Sequence, residues 1–284
     1  LYTYSGKTIM KVDKDTGLVL KTGKMVGGSA FAINSPTYAD GMIFVGLSNG
    51  CVQAFNAETL DSLWVYKDKL GGQPNCPIAY CDGYIYTGFW VQEVKQANFV
   101  CISVTDEDPT QSNEEKLATW TYTHNGFYWA GAYACEDYVL VTTDDGAADY
   151  HTGYGSILSF NPKTGALLDE VRMSNVGDLR SSVCYDTETD AYYFTSKGGD
   201  FYQIRTNEDG TFVENSLKRL HLKNGVDDYE AMSTSTPVVY KGRAYIGVAG
   251  MGQFKAYSGH NITVIDLKSF TVAYYVPTQG YPQT

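Results

Sequence analysis

The segment Thr142–Gly155 carries the densest group of side chains that could bind a metal ion. It reads TTDDGAADYHTGYG and places three aspartates among glycines that permit a tight loop. Calcium prefers carboxylate oxygens and takes roughly six to eight oxygen ligands. The spacing matches no EF-hand loop, so two interpretations stay open: a calcium site, or a solvated loop whose aspartates cap turns. The candidate ligands are Asp144, Asp145 and Asp149.

Other catalytic signatures are sparse. The 4 histidines lie in different segments, with no HExxH, GxSxG or Cys-His signature beside them. Paired carboxylates for glycosidic cleavage could come from any two distant parts of a folded chain. The sequence therefore assigns no catalytic residue, and a glycan-cleaving enzyme remains an alternative.

A repeating pair of hairpins must position these candidates. The stretch LSFNPKTGALLDEV consists of two short apolar runs joined by a turn at Asn161–Gly165. Similar stretches begin at Ile9, Val52, Phe201 and Ile262. A second tight turn precedes most copies and recurs every 42 to 54 residues, at Gly41, Gly83, Asp137, Asp190 and Gly242. Four short strands at such a period are typical of a β-propeller.

We therefore predict an all-β fold, a β-propeller of four-stranded antiparallel blades in one domain over residues 1–284. About six blades are expected, the first without its innermost strand, at approximately 1–28, 29–73, 74–127, 128–180, 181–234 and 235–284. The chain begins inside a strand and ends where a closing strand should begin. This pattern is expected of a piece of a longer protein.

The connections at one end of the predicted blades are long and rich in aromatic residues. Long loops gathered on a rigid scaffold are where binding residues usually lie. Aromatic rings beside Asp and Asn side chains could stack on sugar rings or anchor a protein interface, although some could instead pack between blades. The predicted binding residues are Phe89, Trp90, Tyr128, Trp129, Tyr150, Tyr154, Tyr229, Phe254 and Tyr257.

Charge and cysteine usage narrow the function classes. The 32 acidic and 21 basic residues give a net charge of −11, which disfavours nucleic acid and anionic membranes as partners. No apolar stretch approaches the roughly 20 residues of a transmembrane helix. The 6 cysteines form no CxxC pair, and we interpret them as mostly free, buried thiols.

The second hairpin of each repeat carries a recognisable pattern: an apolar residue, then Asp or Asn, then Thr-Gly three residues later. It stands as KVDKDTGLVL and SFNPKTGALL, and in degraded form as AFNAETLDSLW and VIDLKSFTVAY. This pattern resembles the repeat of pyrroloquinoline-quinone-like propellers, the family of quinoprotein dehydrogenases and of non-enzymatic BamB-type assembly factors. The resemblance covers nearly the whole chain, and it implies that Trp64 packs between sheets.

The resemblance also implies which activity to test. Quinoprotein dehydrogenases have eight blades, hold the quinone near a calcium ion and in many members clamp it with adjacent cysteines. This sequence has about six blades and no adjacent cysteines. Pyrroloquinoline quinone is therefore not expected, and a quinone-dependent dehydrogenase is the least favoured alternative. We expect a non-catalytic binding or scaffold module, extracellular or at a cell surface or envelope, with a protein or glycan partner.

Overall fold

A computed structural model describes residues 1–30, 34–148, 153–222, 231–250 and 260–282. All regular secondary structure in these residues is β-strand, which confirms the all-β class. No helix in the described ranges is long and apolar enough to cross a membrane. The strands form six sheets, and the chain divides into two compact units.

The first unit comprises Leu1–Tyr128, Ala134–Glu136 and Pro162–Gly165. It holds three sheets, whose neighbouring strands pair antiparallel apart from one parallel pair in the second sheet. The first sheet contains β1 (Tyr2–Ser5), β2 (Thr8–Val12) and β3 (Val19–Lys24). The second sheet contains β4 (Thr37–Ala39), β5 (Met42–Leu47), β6 (Cys51–Asn56), β7 (Ser62–Lys67) and the later strand β11 (Glu114–Lys116). The third sheet contains β8 (Ala79–Cys81), β9 (Tyr84–Gly88), β10 (Gln96–Ser103) and β12 (Trp120–Asn125).

The second unit comprises Trp129–Tyr133, Asp137–Asn161 and Ala166–Thr284. The fourth and fifth sheets keep their strands in chain order, whereas in the sixth the first two strands both pair with the third. The fourth sheet contains β13 (Tyr133–Ala134), β14 (Val139–Thr142), β15 (Tyr154–Phe160) and β16 (Leu167–Ser174). The fifth sheet contains β17 (Cys184–Asp186), β18 (Ala191–Thr195), β19 (Asp200–Ile204) and β20 (Lys218–His221). The sixth sheet contains β21 (Ala231–Met232), β22 (Val238–Tyr240), β23 (Arg243–Gly250), β24 (Asn261–Asp266) and β25 (Thr271–Pro277).

The tight turn that opens the second and sixth sheets has the geometry of a two-residue hairpin loop. Asp40 and Gly41 both have positive φ, at 52° and 73°, and Lys241 and Gly242 repeat this at 48° and 70°. Two consecutive positive φ values are the mark of a type I′ turn, whose twist matches that of the flanking strands. The turn therefore sets the antiparallel register of β4 with β5 and of β22 with β23.

The second turn of the repeat is held by its Asp or Asn. The Asp13 carboxylate accepts hydrogen bonds from the backbone N–H of Asp15 and Thr16, at 3.1 and 2.8 Å. The side-chain Oδ1 atom of Asn56 accepts the same kind of bond from the backbone N–H of Glu58 and Thr59. Leu60 stands where other copies have glycine, and it adopts a φ of 59°. The turn thus keeps its shape without glycine, because the side-chain hydrogen bonds hold the backbone.

Successive sheets bury their faces against each other within each unit. In the first unit, one apolar cluster joins the first and second sheets and another joins the second and third. In the second unit, one cluster joins the fourth and fifth sheets and another joins the fifth and sixth. This face-to-face order of repeated sheets is the packing expected of propeller blades. Burial raises the pKa of the Cys76 and Cys101 thiols to about 12, so both stay protonated and act as small apolar side chains.

The acidic excursion between β10 and β12 contains a strand that the sequence pattern did not predict. Residues Glu114–Lys116 form β11, which pairs parallel to β7 and covers the outer edge of the second sheet. Lys116 is buried, and its ammonium contacts the carboxylate of Glu107 and lies 5.7 Å from the Trp64 ring centre. The excursion therefore protects an edge that would otherwise be open to pairing with another chain.

Two glycines at the same place in the repeat predict different costs of substitution. Gly17 and Gly165 have nearly equal φ, 71° and 70°, but only Gly165 is enclosed: a Cβ there would lie 2.6 Å from the Trp120 ring. We expect Gly17→Ala to cost about 1 kcal/mol through φ alone. Gly165→Ala should cost about 2 kcal/mol more, because Trp120 must move from its hydrogen bond to the Pro162 carbonyl oxygen. Urea unfolding of both variants measures the difference, and equal costs would contradict the packing at Gly165.

Candidate functional site

Two predicted binding residues of the first unit each follow a fully buried phenylalanine. Phe89 and Phe127 have no exposed surface, and the Phe127 N–H donates to the Phe89 carbonyl oxygen at 3.0 Å. Trp90 and Tyr128 come next in the chain, and both are half-buried. Their ring centres lie 4.8 Å apart with an angle of 33° between the planes. The buried pair thus holds the two following rings together.

A connection between β7 and β8 approaches this ring pair. Gln73 and Trp90 exchange backbone hydrogen bonds of 2.7 and 3.1 Å, which form an isolated antiparallel bridge. Gly72, with a φ of 106°, lies so close that a Cβ would come within 2.8 Å of the Trp90 carbonyl oxygen. Only glycine fits this conformation and this contact, so Gly72 allows the connection to lie against Trp90.

The connection brings two carboxamides to the rings. The Oε1 atom of Gln73 accepts hydrogen bonds from the Tyr128 hydroxyl and from the Asn75 amide, each at 3.3 Å. Asn75 is 1% exposed, and its Oδ1 atom is buried without a hydrogen-bond partner. A buried polar atom of this kind is uncommon and needs an explanation such as a ligand or a water. We call Gln73, Asn75, Trp90 and Tyr128 the amide–aromatic cluster.

The other predicted binding residues have different surroundings. Phe89 belongs to the core of the first unit, where it packs against Tyr66. In the second unit, Trp129 is half-buried, and its carbonyl oxygen accepts from the Gly131 N–H. Tyr154 is 51% exposed and lies 4.5 Å from the Arg172 guanidinium. Four predicted residues lie outside the described residues: Tyr150, Tyr229, Phe254 and Tyr257.

Two of the three candidate calcium ligands lie in a buried charge network of the second unit. Both oxygens of Asp144 accept hydrogen bonds from Arg180, at 3.0 and 2.8 Å. Arg180 also lies 3.1 Å from Asp178, which forms a second ion pair of 2.7 Å with Lys197. All four side chains are at most 5% exposed. The network therefore pairs its buried charges, as a low-dielectric interior requires.

Asp145 lies at the edge of this network. Its carboxylate accepts hydrogen bonds from the backbone N–H of Ala147 and Gly153, at 2.8 and 3.2 Å. Burial raises the pKa of Asp145 to about 6, and the negative charge of Asp178 contributes to the increase. The third candidate ligand, Asp149, lies outside the described residues. Calcium binding by these aspartates stays a prediction.

The raised pKa of Asp145 gives a testable pH dependence. Between the ordinary value of 3.8 and about 6, the folded chain holds a proton on Asp145 that the unfolded chain has released. Proton binding by the native state stabilises it as pH falls. We therefore expect stability to rise by up to about 3 kcal/mol from pH 7 towards pH 4, relative to the Asp145→Asn variant. Denaturant unfolding of both proteins at several pH values measures this difference, and parallel pH profiles would contradict it.

Asp106 and Glu114 form a pair of carboxyl groups in the segment between β10 and β12 of the first unit. A cavity of about 310 Å³ is lined by Asp61, Asp106 and polar side chains. Burial raises the pKa of Asp106, and the neighbouring Glu114 carboxyl, which lies within hydrogen-bonding reach, raises it further. Glycoside hydrolysis uses two carboxyl groups roughly 5 to 10 Å apart. Asp106 and Glu114 lie within hydrogen-bonding reach of each other, which is closer than that reaction requires.

The sequence pattern missed Gln73 and Asn75. They lie in the short connection GGQPNCP, which has neither the length nor the aromatic residues that marked the other loops. The available signal was the Gly71–Gly72 pair, which indicates close backbone approach, followed by two carboxamides. Without the position of Trp90, however, the sequence gives no reason to place these amides beside an aromatic ring.

Comparisons with known proteins identify the fold rather than a family. No protein-family model matches the sequence, and no curated protein matches it. Among solved structures, the chain is similar in fold to the β-propeller BamB. BamB from Moraxella catarrhalis matches with a TM-score of 0.63 and 12% identity, over 99% of this chain and 72% of that one. The computationally designed Ika8 protein matches with a TM-score of 0.56 and 10% identity, over 93% and 69%. These similarities support a BamB-like propeller fold.

Proposed function

We propose that this chain is a non-catalytic binding module that recruits a protein or glycan partner through the amide–aromatic cluster. The observation that carries the proposal is the cluster itself: a ring pair, two carboxamides and a buried amide oxygen without a partner. An aromatic surface with a few fixed polar groups is the usual composition of a binding site.

The cluster is organised before any partner arrives. Trp90 is fixed on one side by its backbone bridge to Gln73. Tyr128 is fixed by its hydroxyl hydrogen bond and by the preceding Phe127, which packs against Phe99 at 5.4 Å. Binding to such a site costs little ordering of side chains. Rigid rings with an anchored polar end are also the residue types that dominate binding energies.

The fold supports the choice of a binding module over an enzyme. A BamB-like propeller favours a protein-binding scaffold, and the PQQ-like turn motif contributes only to turn geometry. The proposal places the chain in one propeller domain of an exported or cell-envelope protein. It includes no resident cofactor. Calcium titration of the chain would test whether the candidate ligands Asp144, Asp145 and Asp149 bind the ion.

We expect the binding to depend on the ring pair. The full chain is immobilised and exposed to a cell-envelope extract that contains both proteins and polysaccharides, and the retained mass is followed by biolayer interferometry. Trp90→Ala should weaken retention by about tenfold or more, because it removes a central aromatic contact. Tyr240→Ala provides a matched control, since Tyr240 is an exposed aromatic residue of the other unit and is not among the predicted binding residues.

Retention of the two variants distinguishes a binding role of the cluster from its absence. Loss of retention in Trp90→Ala with normal retention in Tyr240→Ala supports a binding module that uses the cluster. Equal retention by the native chain and both variants, with each variant unfolding at the native denaturant concentration, would refute this function.

A further inference from the structure

We infer that the amide–aromatic cluster is a carbohydrate subsite that takes a pyranose through two neighbouring hydroxyls and one C–H face. The inference rests on the proposed binding function and names its ligand class. Four observations carry it: the ring pair, the anchored Gln73 amide, the buried Asn75 amide and the Gly72 contact that holds them in place.

The Gln73 carboxamide has a fixed orientation and one unused end. Its Oε1 atom already accepts two hydrogen bonds, from the Tyr128 hydroxyl and the Asn75 amide. No described residue accepts a hydrogen bond from its Nε2 group. Because the oxygen is anchored, the amide N–H groups of Gln73 are held ready to donate to a ligand.

The Asn75 carboxamide supplies the complementary group. Its Nδ2 atom is used by Gln73, and its buried Oδ1 atom has no partner. An acceptor left unsatisfied in this way destabilises the free protein, and a ligand donor that reaches it recovers that cost. The cluster therefore has one unused donor on Gln73 and one unused acceptor on Asn75.

Sugar hydroxyls match the Gln73 donor and the Asn75 acceptor better than other polar groups do. Each hydroxyl can donate and accept, so two neighbouring hydroxyls can serve both carboxamides whichever way the amides are turned. The opposite face of a pyranose presents C–H groups, which pack on the electron-rich face of an aromatic ring. Trp90 and Tyr128 supply such faces beside the amides, with ring centres 4.8 Å apart.

Charge favours a neutral sugar over an anionic ligand. The chain carries a net charge of −11, and the cluster contains carboxamides rather than lysine or arginine. A phosphate or uronate would meet no compensating cation among these four side chains. Neutral oligosaccharides with free neighbouring hydroxyls are therefore the ligands that the cluster fits.

The test is calorimetric titration of the full chain with neutral oligosaccharides of the β-gluco, xylo, manno and galacto series. At least one should bind saturably with a dissociation constant below about 5 mM. Trp90→Ala should weaken that binding by about tenfold or more. Tyr128→Phe keeps the ring and removes only the hydroxyl that anchors Gln73, so we expect a loss of about threefold to tenfold.

Two further variants separate a binding role from a structural one. Gln73→Glu keeps the accepting oxygen and replaces the donor NH2 group by a second oxygen, so it should weaken sugar binding with little change in thermal stability. Tyr240→Ala should leave the affinity within about twofold, since Tyr240 is exposed and belongs neither to the cluster nor to the predicted binding residues. Affinity that is unchanged in Trp90→Ala and Gln73→Glu would overturn the carbohydrate assignment.

Periodate distinguishes failure of this inference from failure of the proposed function. Mild periodate oxidation cleaves neighbouring diols, so it should abolish the envelope-extract retention that Trp90 controls. Retention that resists periodate but is lost after protease digestion of the extract would overturn the sugar assignment and leave the binding module intact, with a protein partner. If no oligosaccharide binds and no extract component depends on Trp90, both proposals are wrong.

Discussion

Arg180→Met should destabilise the protein by about 3 to 5 kcal/mol, one of the largest effects we expect from a single substitution. The Arg180 guanidinium donates to both oxygens of Asp144, which is 0% exposed, and also lies 3.1 Å from Asp178. Methionine preserves much of the side-chain volume but removes the charge. Asp144 would then be a buried carboxylate without its cation, and water could not reach it to compensate.

Urea unfolding followed by tryptophan fluorescence measures this cost. Arg205→Met is the matched control, because the Arg205 side chain is exposed and donates a hydrogen bond to the Thr189 carbonyl oxygen. It should change stability by no more than about 0.5 kcal/mol. Arg180→Lys keeps the charge but not the two parallel hydrogen bonds, so its cost should lie between the two. A cost for Arg180→Met no greater than that of Arg205→Met would show that the buried network does not stabilise the fold.

Trp64→Ala should cost a similar amount, about 3 to 5 kcal/mol, for a different reason. Trp64 is 0% exposed on β7, in the cluster that joins the second and third sheets. Its ring packs against Phe44 at 5.8 Å, and its Nε1–H donates to the Val104 carbonyl oxygen at 3.3 Å. Alanine would leave a cavity between the sheets and an unsatisfied carbonyl oxygen.

Two controls make this prediction specific. Trp64→Phe keeps most of the ring and loses only the hydrogen bond and part of the volume, so it should cost about half as much. Trp90→Ala removes the same side chain from a half-buried position and should cost less than either. If Trp64→Ala and Trp90→Ala were equally destabilising, the packing role of Trp64 between sheets would be contradicted.

The hairpin repeat was predictable from the sequence because its signals are local. A turn that needs two positive φ values selects residues such as Asp40 and Gly41, and the Asp or Asn of the second turn acts within three residues of itself. Even the degraded copies keep that capping residue. Asp266 accepts a hydrogen bond from the Ser269 N–H, and Phe270 takes the glycine position with a φ of 54°.

The interactions that the sequence did not reveal are those between distant residues. Arg180 pairs with Asp144 across 36 positions, and nothing near either residue indicates the pairing. The strand β11 also pairs parallel with β7, and no turn motif in the sequence predicts this pairing. At the candidate site, Trp90 and Tyr128 were predicted from loop composition, whereas Gln73 and Asn75 required the folded position of their connection.

The most direct test of the central claim is a fluorine NMR titration of the chain labelled with 5-fluorotryptophan. The protein has 4 tryptophans, so four resonances are expected, and Trp→Phe substitutions assign them. The account predicts that a binding oligosaccharide or envelope component shifts the Trp90 resonance saturably and leaves those of the buried Trp64 and Trp120 unchanged. A binding partner that leaves the Trp90 resonance unmoved, or shifts all four alike, would show that the amide–aromatic cluster is not the binding site.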